Sequence, residues 1–235
     1  MSLLAWLQRP GPMLTPAQLE RLQRLPIPTP LSQRPLAEQR LVVLDLETSG
    51  LNPQRDQVLS IGAVVIEHGA IDLAQQYECT LQRADQRAGA STLIHGLAPS
   101  AIVAGREPAE ALLDFLEFLG ASPLLAFHAG FDRHMLSRAL KQTLGLRLQH
   151  PFLDAAELAP LLCPQAELRR AGLDAWTGYF GLQVQQRHHA SADALVTAEL
   201  ALILFSRARR QQLDSLHALD QRLQHWQRRQ ATPSL

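Results

Sequence analysis

The chain has 235 residues, 46% of them hydrophobic, and its 22 basic and 22 acidic side chains give a formal net charge of zero. This composition excludes a largely disordered chain, and the zero net charge argues against a protein that coats nucleic acid through its overall electrostatic field. An enzyme that contacts a few phosphates locally is compatible with it. The length fits one large domain with appendages, or two small domains.

The cysteines and the hydropathy pattern bear on the compartment. Cys79 and Cys163 are not spaced as metal ligands, and two free thiols in a reducing compartment are the simplest interpretation. No apolar run approaches the roughly 18–20 residues that span a bilayer, and the N-terminus lacks the pattern of a signal peptide. We therefore expect a cytoplasmic protein without a membrane partner.

Residues 1–38 are predicted to be an N-terminal helical and proline-rich extension. Thr15 can cap a helix from Pro16 to about Leu25, because proline is favoured at the first position of a helix. Four prolines between residues 26 and 35 then keep the chain extended. The segment fits either a linker or a strap across the main domain.

Residues 39–205 are predicted to form the main domain, in which strands come first and helices then alternate with strands. Residues 83–99 are expected to be a loop, and residues 206–235 a C-terminal helical extension. This order predicts an α/β fold with a mixed sheet flanked by helices. The predicted strands are 41–48, 58–67, about 74–81, 123–127 and 152–154, and the predicted helices are about 108–119, 131–144, 155–162, 168–180 and 191–210.

The first strand carries the most informative residues. Asp45 and Glu47 lie two positions apart, so both carboxylates point to one side of the strand, while Val42, Leu44 and Leu46 point to the other. Two anions on a mostly apolar strand are costly unless cations neutralise them. The pair therefore indicates a site for a divalent metal, and oxygen ligands favour Mg²⁺ or Mn²⁺. Two acids that merely face solvent at a strand end are the alternative.

Three further residues complete a candidate site. Asp132 follows the predicted strand 123–127, where the next helix begins. Ser191 is predicted to cap the last main-domain helix, and Asp193 leads the apolar stripe of that helix, where it either complements the helix dipole or reaches a metal. His188 precedes Asp193 by five positions, about 500° of helical turn, so it must lie on the loop before the helix.

The order of these motifs resembles the DEDDh 3′–5′ exonucleases. Asp-x-Glu-Thr comes first, then Phe-Asp after a strand, then His-x₄-Asp. This family includes the proofreading subunit of the bacterial replicative DNA polymerase, RNase T and oligoribonuclease. The resemblance covers about residues 40–205 and implies a ribonuclease H-like fold, with a mixed five-stranded sheet flanked by helices. Softer matches lie at 59–66, 94–97, 152–154 and 172–176.

The resemblance implies a role for each residue of the site. Two divalent cations, Mg²⁺ or Mn²⁺, would be held by the acids: Asp45 would bridge both, Glu47 and Asp193 would hold the ion that carries the attacking water, and Asp132 would serve the second ion. His188 would be the general base, a role that suits a side chain with an ordinary pKa near 6.5. Two such ions can stabilise both the attacking and the leaving oxygen.

The resemblance also implies contacts with the substrate. The backbone around Thr48 and Gly50 would approach the terminal 3′-hydroxyl. Leu51 would wedge against the terminal base, or alternatively cover the core as a loop residue. His95 would lie near the substrate strand, or alternatively be a turn histidine followed by Gly96.

Four residues near the motifs need separate interpretation. His128 stands where many family members have asparagine, a departure that removes no metal ligand. His189 is adjacent to His188, but the five-residue step to the last aspartate favours His188 as the base. Asp154 is predicted to cap the following helix rather than bind metal. His134, just past Asp132, is predicted to be exposed or to pack.

The activity implied is metal-dependent hydrolysis of phosphodiester bonds at the 3′ end of single-stranded DNA or RNA, with release of nucleoside 5′-monophosphates. The expected partners are unpaired 3′ ends and a DNA polymerase subunit, which the segments 1–38 or 206–235 would bind. Trp6 and Trp226 would anchor these segments to a partner or to the core. The alternative is a non-catalytic module that binds nucleic acid or a polymerase, although such a module would not require all five site residues together.

Overall fold

A computed structural model describes residues 13–83, 96–184 and 187–231 of the chain. Within these ranges one sheet contains five strands in the order β3-β2-β1-β4-β5. The strands are β1 Leu41–Thr48, β2 Val58–Glu67, β3 Ala70–Thr80, β4 Leu124–Ala126 and β5 Phe152–Asp154. The helices are α1 Pro16–Arg24, α2 Pro99–Val103, α3 Pro108–Leu119, α4 Ala129–Leu144, α5 Ala155–Leu162, α6 Leu173–Phe180, α7 Ala190–Arg210 and α8 Leu216–Ala231.

The sheet is mixed, with β1 at its centre. β1 is antiparallel to β2 and parallel to β4, while β3 and β5 form the antiparallel and parallel edges. The predicted sheet flanked by helices is therefore confirmed. β3 begins at Ala70 rather than near residue 74. His68 and Gly69 have φ angles of 54° and 74°, which suit a two-residue hairpin turn, so the next strand starts at once.

Helices cover both faces of the sheet and form two hydrophobic layers. The α7 layer contains α5, α6, α7 and α8 and packs on Leu41 and Val43 of β1. The α4 layer contains α1, α3 and α4 and packs on the opposite face of the same strand. The side chains that β1 gives to the α4 layer are those predicted to point away from the carboxylates, Val42, Leu44 and Leu46.

Two predicted helix starts are wrong. The helix expected at about 168–180 begins only at Leu173, because the preceding chain forms a 3₁₀ turn, Pro164–Ala166, that ends in a left-handed residue, Glu167, with a φ of 57°. The predicted cap Ser191 is inside α7, which begins at Ala190. The hydroxyl of Ser191 instead lies 3.1 Å from Nδ1 of His189, the residue at the N-cap position.

The predicted loop 83–99 also differs at its end, where the short helix α2 begins at Pro99. Proline at the first position and the carbonyl of Ala98, which accepts the first helical bond from Ile102 at 3.1 Å, explain this start. Residues 84–95 of that loop lie outside the described residues.

The described part of the N-terminal segment lies across the main domain. Thr15 caps α1 with a reciprocal side-chain bond to Gln18, as a capping box requires. Arg21 of α1 pairs with three carboxylates of α3, at 2.6–2.8 Å. The three acids paired with Arg21 are Glu110, Asp114 and Glu117. Two of them, Glu117 and Asp114, hold the pKa of the guanidinium above its usual range. Further along, the Thr29 N–H donates to the Ala121 carbonyl at 3.0 Å.

The C-terminal segment folds back onto the α7 layer. Leu216, Leu219 and Leu223 of α8 are buried there, and Trp226 packs against the same cluster. Trp226 therefore contacts the core, which is one of the two roles expected for it, while Trp6 lies outside the described residues. Among residues 13–83, 96–184 and 187–231, no helix combines the length and the apolar character needed to cross a bilayer.

Candidate metal centre

The second half of β1 projects beyond its parallel neighbour. β4 has three residues and pairs only with Val42 and Val43 of β1. Asp45 and Glu47 therefore come after the part of β1 that pairs with β4, on the face that the α7 layer covers. β4 ends before the acids are reached, so the backbone of Leu46 on the β4 side of β1 is free to contact another element.

Gly62 of β2 is what allows the α7 layer to approach the acids. It lies directly opposite Asp45 in the antiparallel pair. A Cβ built on Gly62 would lie 2.1 Å from the carbonyl carbon of Ala190 and 2.2 Å from the nitrogen of Ser191. No side chain fits into such a gap, so this glycine sets the first turn of α7, and with it Asp193, against the middle of the sheet.

Three carboxylates meet at this point. Oxygens of Asp45, Glu47 and Asp193 lie within 4.8 Å of one another. Asp193 is 5% exposed and sits in the first turn of α7, where it accepts a hydrogen bond of 3.0 Å from the backbone N–H of His188. This approach of two chain segments, which are about 150 residues apart in sequence, creates the cluster that the motif spacing predicts.

Asp132 reaches the same region from the opposite layer. It is 5% exposed in the first turn of α4 and lies outside the group of three. The backbone N–H of Leu46, in the half of β1 that extends beyond β4, is a hydrogen-bonding partner of its carboxylate. The charge of Asp132 is near enough to Asp45 to raise the pKa of that acid. The structure thus brings all four predicted acids to one end of β1, three of them within direct ligand range.

The pKa values of Asp45, Glu47 and Asp132 are all raised. Burial raises the pKa of Asp45 well above its ordinary value, and the charges of Asp132, Asp193 and Glu47 raise it further. Burial and Asp193 raise the pKa of Glu47 to about 7. Burial also raises the pKa of Asp132, against the opposing effect of backbone N–H groups. Each carboxylate would be ionised more readily if positive charge were placed among them.

Arg187 supplies positive charge at this site, and sequence reasoning missed it. Its guanidinium pairs with Asp193 on one side and with Asp174, at the start of α6, on the other. The charge of Arg187 lowers the pKa of both Asp45 and Glu47, in opposition to burial. An arginine directly before the two histidines was the available signal, but its partners depend on how α6 and α7 meet in space.

The two adjacent histidines differ in environment. His188 is exposed and has a φ of 60°, a left-handed conformation that costs roughly 1–2 kcal/mol for a residue with a side chain. This conformation directs its backbone N–H onto Asp193. His189 has an extended backbone and pairs through Nε2 with Glu78 of β3 at 3.3 Å. His189 is therefore engaged with the sheet edge, while the ring of His188 stays accessible at the rim of the acid cluster.

The turn that follows β1 is held in place by hydrogen bonds, some of them to its own acidic residue Asp56. The hydroxyl of Thr48 donates to the carbonyl of Gly50 at 2.8 Å, and the carboxylate of Asp56 accepts from the Ser49 hydroxyl at 2.9 Å. A Cβ on Gly50 would lie 2.5 Å from Oδ2 of Asp56, so a side chain there would displace this carboxylate from the turn. Leu51 is 86% exposed at the tip of this segment and does not cover the core. His95 lies outside the described residues.

Three other residues near the motifs have local structural environments. Asp154 caps α5, as predicted, by accepting from the Ala156 N–H at 2.9 Å, and it also accepts from the His128 N–H at 3.1 Å. His128 has a φ of 64°, a left-handed position that asparagine and histidine both tolerate better than most residues. His134 is exposed.

The residues present fit a divalent cation. The donor set consists of carboxylate oxygens, which Mg²⁺ and Mn²⁺ prefer. Asp45, Glu47 and Asp193 are already within ligand range of one another, and a guanidinium now acts as their counter-charge. A doubly charged ion would relieve the mutual repulsion that helps to raise the pKa values of Asp45 and Glu47.

Comparison with known proteins agrees with this geometry. The sequence model of the RNase T-type exonuclease family matches residues 42–201. Over 161 residues the chain is 35% identical to the PolC-type DNA polymerase III of Thermotoga maritima, covering 68% of this chain and 11% of that protein. It is 30% identical over 177 residues to a DNA polymerase III subunit epsilon-like protein of Rhodobacter capsulatus, covering 74% and 25%. The chain thus spans only about a tenth to a quarter of the length of these relatives.

Solved structures share the fold at low sequence identity. A zinc-bound complex of Escherichia coli exonuclease I with single-stranded DNA superposes with a TM-score of 0.64 at 18% identity, over 74% of this chain and 42% of that one. Exonuclease X in complex with 5′-overhanging duplex DNA gives a TM-score of 0.57 at 19% identity, over 71% and 91%. The ribonuclease H-like fold is confirmed, and the chain belongs to the exonuclease family whose DEDD-type 3′–5′ members its motifs resemble.

Proposed function

We propose that the chain is a metal-dependent 3′–5′ exonuclease that hydrolyses phosphodiester bonds at the 3′ end of single-stranded DNA or RNA and releases nucleoside 5′-monophosphates. The observation that carries this proposal is the convergence of Asp45, Glu47 and Asp193 within 4.8 Å, with Asp132 approaching from the other layer. Residues 39–205 form the exonuclease domain in this proposal, with the segments 1–38 and 206–235 as extensions.

The acids have separate roles in the proposal. Two cations, Mg²⁺ or Mn²⁺, would be held by these acids: Asp45 would contribute to both, Glu47 and Asp193 to the first, and Asp132 to the second. Bound cations of this kind lower the pKa of water and offset the charge that develops on the phosphate oxygens. Arg187 donates to one oxygen of Asp193 and the backbone N–H of His188 donates to the other, so a cation would share this carboxylate with both groups.

The remaining residues bind substrate and move the proton. An imidazole nitrogen of His188 takes the proton from the attacking water, and the exposure of this residue, whose backbone N–H contacts Asp193, supports that role. The backbone at Thr48 and Gly50 faces the terminal 3′-hydroxyl. Leu51 stacks on the terminal base, and its exposed position at the tip of the turn supports that contact. His95 contacts the substrate strand.

The relatives support two finer points. Exonuclease I was solved with single-stranded DNA, which supports an unpaired strand as the substrate here. The curated relatives are named as DNA polymerase III proteins, which supports a polymerase subunit as a partner. A non-catalytic binding module is the competing proposal, and the two differ in whether the acids are needed for turnover.

Hydrolysis of a 5′-labelled single-stranded oligonucleotide with Mn²⁺ tests the proposal. The wild-type chain should shorten the strand one nucleotide at a time from the 3′ end. Asp45→Asn should lower the rate by at least about 10³-fold, since it removes a ligand charge without changing shape. The same variant should raise the melting temperature in EDTA, because it relieves the repulsion that raises the Asp45 pKa.

Asp72→Asn is the matched control, because the carboxylate of Asp72 accepts its hydrogen bonds from Ala74 and Gln75 of its own strand, β3. It should leave the rate unchanged. Asp45→Asn with wild-type activity would contradict the assignment of the site, and release of a 5′-labelled mononucleotide as the first product would contradict the direction of digestion.

A further inference from the structure

The outer face of α4 carries a row of cationic side chains. The inner face of this helix is buried in the α4 layer. The opposite face lines an open groove of about 430 Å³. We call the four basic residues of this face the α4 basic stripe, and they are Arg133, His134, Arg138 and Lys141.

The stripe is not balanced by acids. Asp132 is the only acidic residue of α4, and it points into the metal centre. The side chains of Arg133 and Lys141 are exposed and make no hydrogen bond or ion pair with any residue in the described part of the chain. In a protein of zero net charge, a row of basic side chains without acids beside it on the helix creates a local positive potential, which attracts anions.

The position of the stripe connects it to the candidate active site. Arg133 directly follows Asp132, so the stripe starts at the metal centre. Arg138 donates to the carbonyls of Pro53 at 3.0 Å and Asp56 at 2.8 Å, which fixes the turn that carries Leu51 beside the same helix. A strand whose 3′ end is held at this turn would therefore meet the stripe next.

The dimensions of the stripe suit a polynucleotide backbone. Arg133 and Lys141 lie eight residues apart, or about 12 Å along the helix. Phosphates of one stacked strand are separated by about 3.4 Å along its axis, so the stripe spans roughly three to four nucleotide steps. Arginine and lysine side chains are suited to contact phosphate oxygens without reading bases.

We propose that the α4 basic stripe binds the phosphates of the substrate strand on the 5′ side of the scissile bond. The inference rests on the proposed nuclease function and deepens it, because it assigns the protein to strands of at least about four nucleotides rather than to dinucleotides. Arg133 and Lys141 are the contacts that carry it, and Arg138 acts as a positioning residue for the neighbouring turn.

Binding measurements on the double variant Arg133→Ala/Lys141→Ala test the inference without requiring turnover. Fluorescence anisotropy of a labelled dT₁₂ strand is measured with Mg²⁺ in an Asp45→Asn background, over a series of salt concentrations. Affinity should fall at least tenfold at low salt. The slope of log K against log salt should become less steep by about 1.4, which is two phosphate contacts at about 0.7 each for a single strand.

Hydrolysis of the p-nitrophenyl ester of thymidine 5′-monophosphate, measured in the background with native Asp45, separates the stripe from the metal centre. This probe has no phosphate upstream of the bond that breaks, so the double variant should cleave it within about twofold of wild type. On dT₁₂ the same variant should show a raised KM. The control is Arg170→Ala/Arg222→Ala, which removes the same charge from exposed positions outside the stripe, Arg222 being on α8 in the opposite layer.

Three results would overturn the inference. They are an unchanged affinity and salt slope for dT₁₂, an equal loss in the control variant, or a loss confined to duplex ends, which would assign the stripe to a complementary strand. If wild type cleaves neither probe but binds dT₁₂ through the stripe, the proposed function fails and the inference about binding survives.

Discussion

At the scale of single residues, a few side chains decide whether the acid cluster can act. The two adjacent histidines show this most directly. His188 adopts a strained left-handed backbone that ties its N–H to Asp193, while His189 pairs with Glu78 at the sheet edge. Strained backbone of this kind is concentrated at functional sites. Only one of the two rings is free to accept a proton from water.

Replacement of each histidine separately tests this assignment. His188→Ala should lose at least about 10²-fold in turnover, the usual contribution of a general base, while Mn²⁺ binding measured by calorimetry stays close to wild type. His189→Ala should have a small effect on turnover. If His189→Ala is the crippling change, the alignment of the last motif is wrong by one residue.

At the scale of elements, the contact between β2 and the start of α7 positions the site. Gly62 has no side chain, and the backbone at Ala190 occupies the space where one would be. The cluster of acids therefore depends on a residue that carries no functional group. A glycine within the hydrophobic run 58–67 was a visible signal of close backbone approach, but the sequence did not reveal which segment approaches.

Gly62→Ala should push α7 away from β1 and separate Asp193 from Asp45. We expect a loss of stability of roughly 1–3 kcal/mol, the usual range for overpacking, and a loss of activity larger than the unfolded fraction explains. Urea denaturation and oligonucleotide hydrolysis measure the two effects. Gly178→Ala is the control, since a Cβ at this position of α6 meets nothing within 4 Å and alanine favours helix. Gly62→Ala with normal turnover would refute the contact as the determinant of the site.

Individual elements also show what could be predicted from the sequence. β1 and β2 lie where their apolar runs end in turn residues, since burial on both faces makes their limits clear. The starts of β3 and α7 were missed, because a two-residue turn and a backbone contact decided them. The four acids were found through the order and spacing of motifs, whereas Arg187 and Gly62 act through tertiary contacts that no local pattern reports.

At the scale of the whole molecule, the acids lie where the two helical layers meet at one end of the sheet. The α7 layer contributes Asp193 and covers the face of Asp45 and Glu47, while the α4 layer contributes Asp132. Stability and metal binding are therefore coupled, since the fold must hold these acids together whether or not cations are present. This coupling makes the stability of the metal-free protein depend on pH.

We expect the metal-free protein to become less stable as pH rises from about 4.5 to 7. The pKa of Glu47 is about 7 in the fold and 4.5 ordinarily, so the folded state binds more protons than the unfolded state in this window, and the stability is lost as pH rises through it. Asp45 and Asp132 shift in the same direction. Melting temperatures in EDTA at pH 5 and pH 8 measure the effect.

Two comparisons sharpen that measurement. Glu47→Gln should reduce the difference between the two pH values, because it removes one of the titrating groups. Added Mn²⁺ should stabilise the protein more at pH 8 than at pH 5, because the ion binds carboxylates rather than carboxylic acids. A metal-free protein that is equally stable at both pH values in wild type and in Glu47→Gln would contradict the electrostatic description of the site.

The guanidinium of Arg187 bears on the order in which the chain folds and binds cations. Because this arginine already balances the charge of Asp193, we expect the chain to fold without divalent cations and to bind them afterwards. The arginine also joins Asp193 at the start of α7 to Asp174 at the start of α6, so we expect these two helix ends to stay connected when divalent ions are removed.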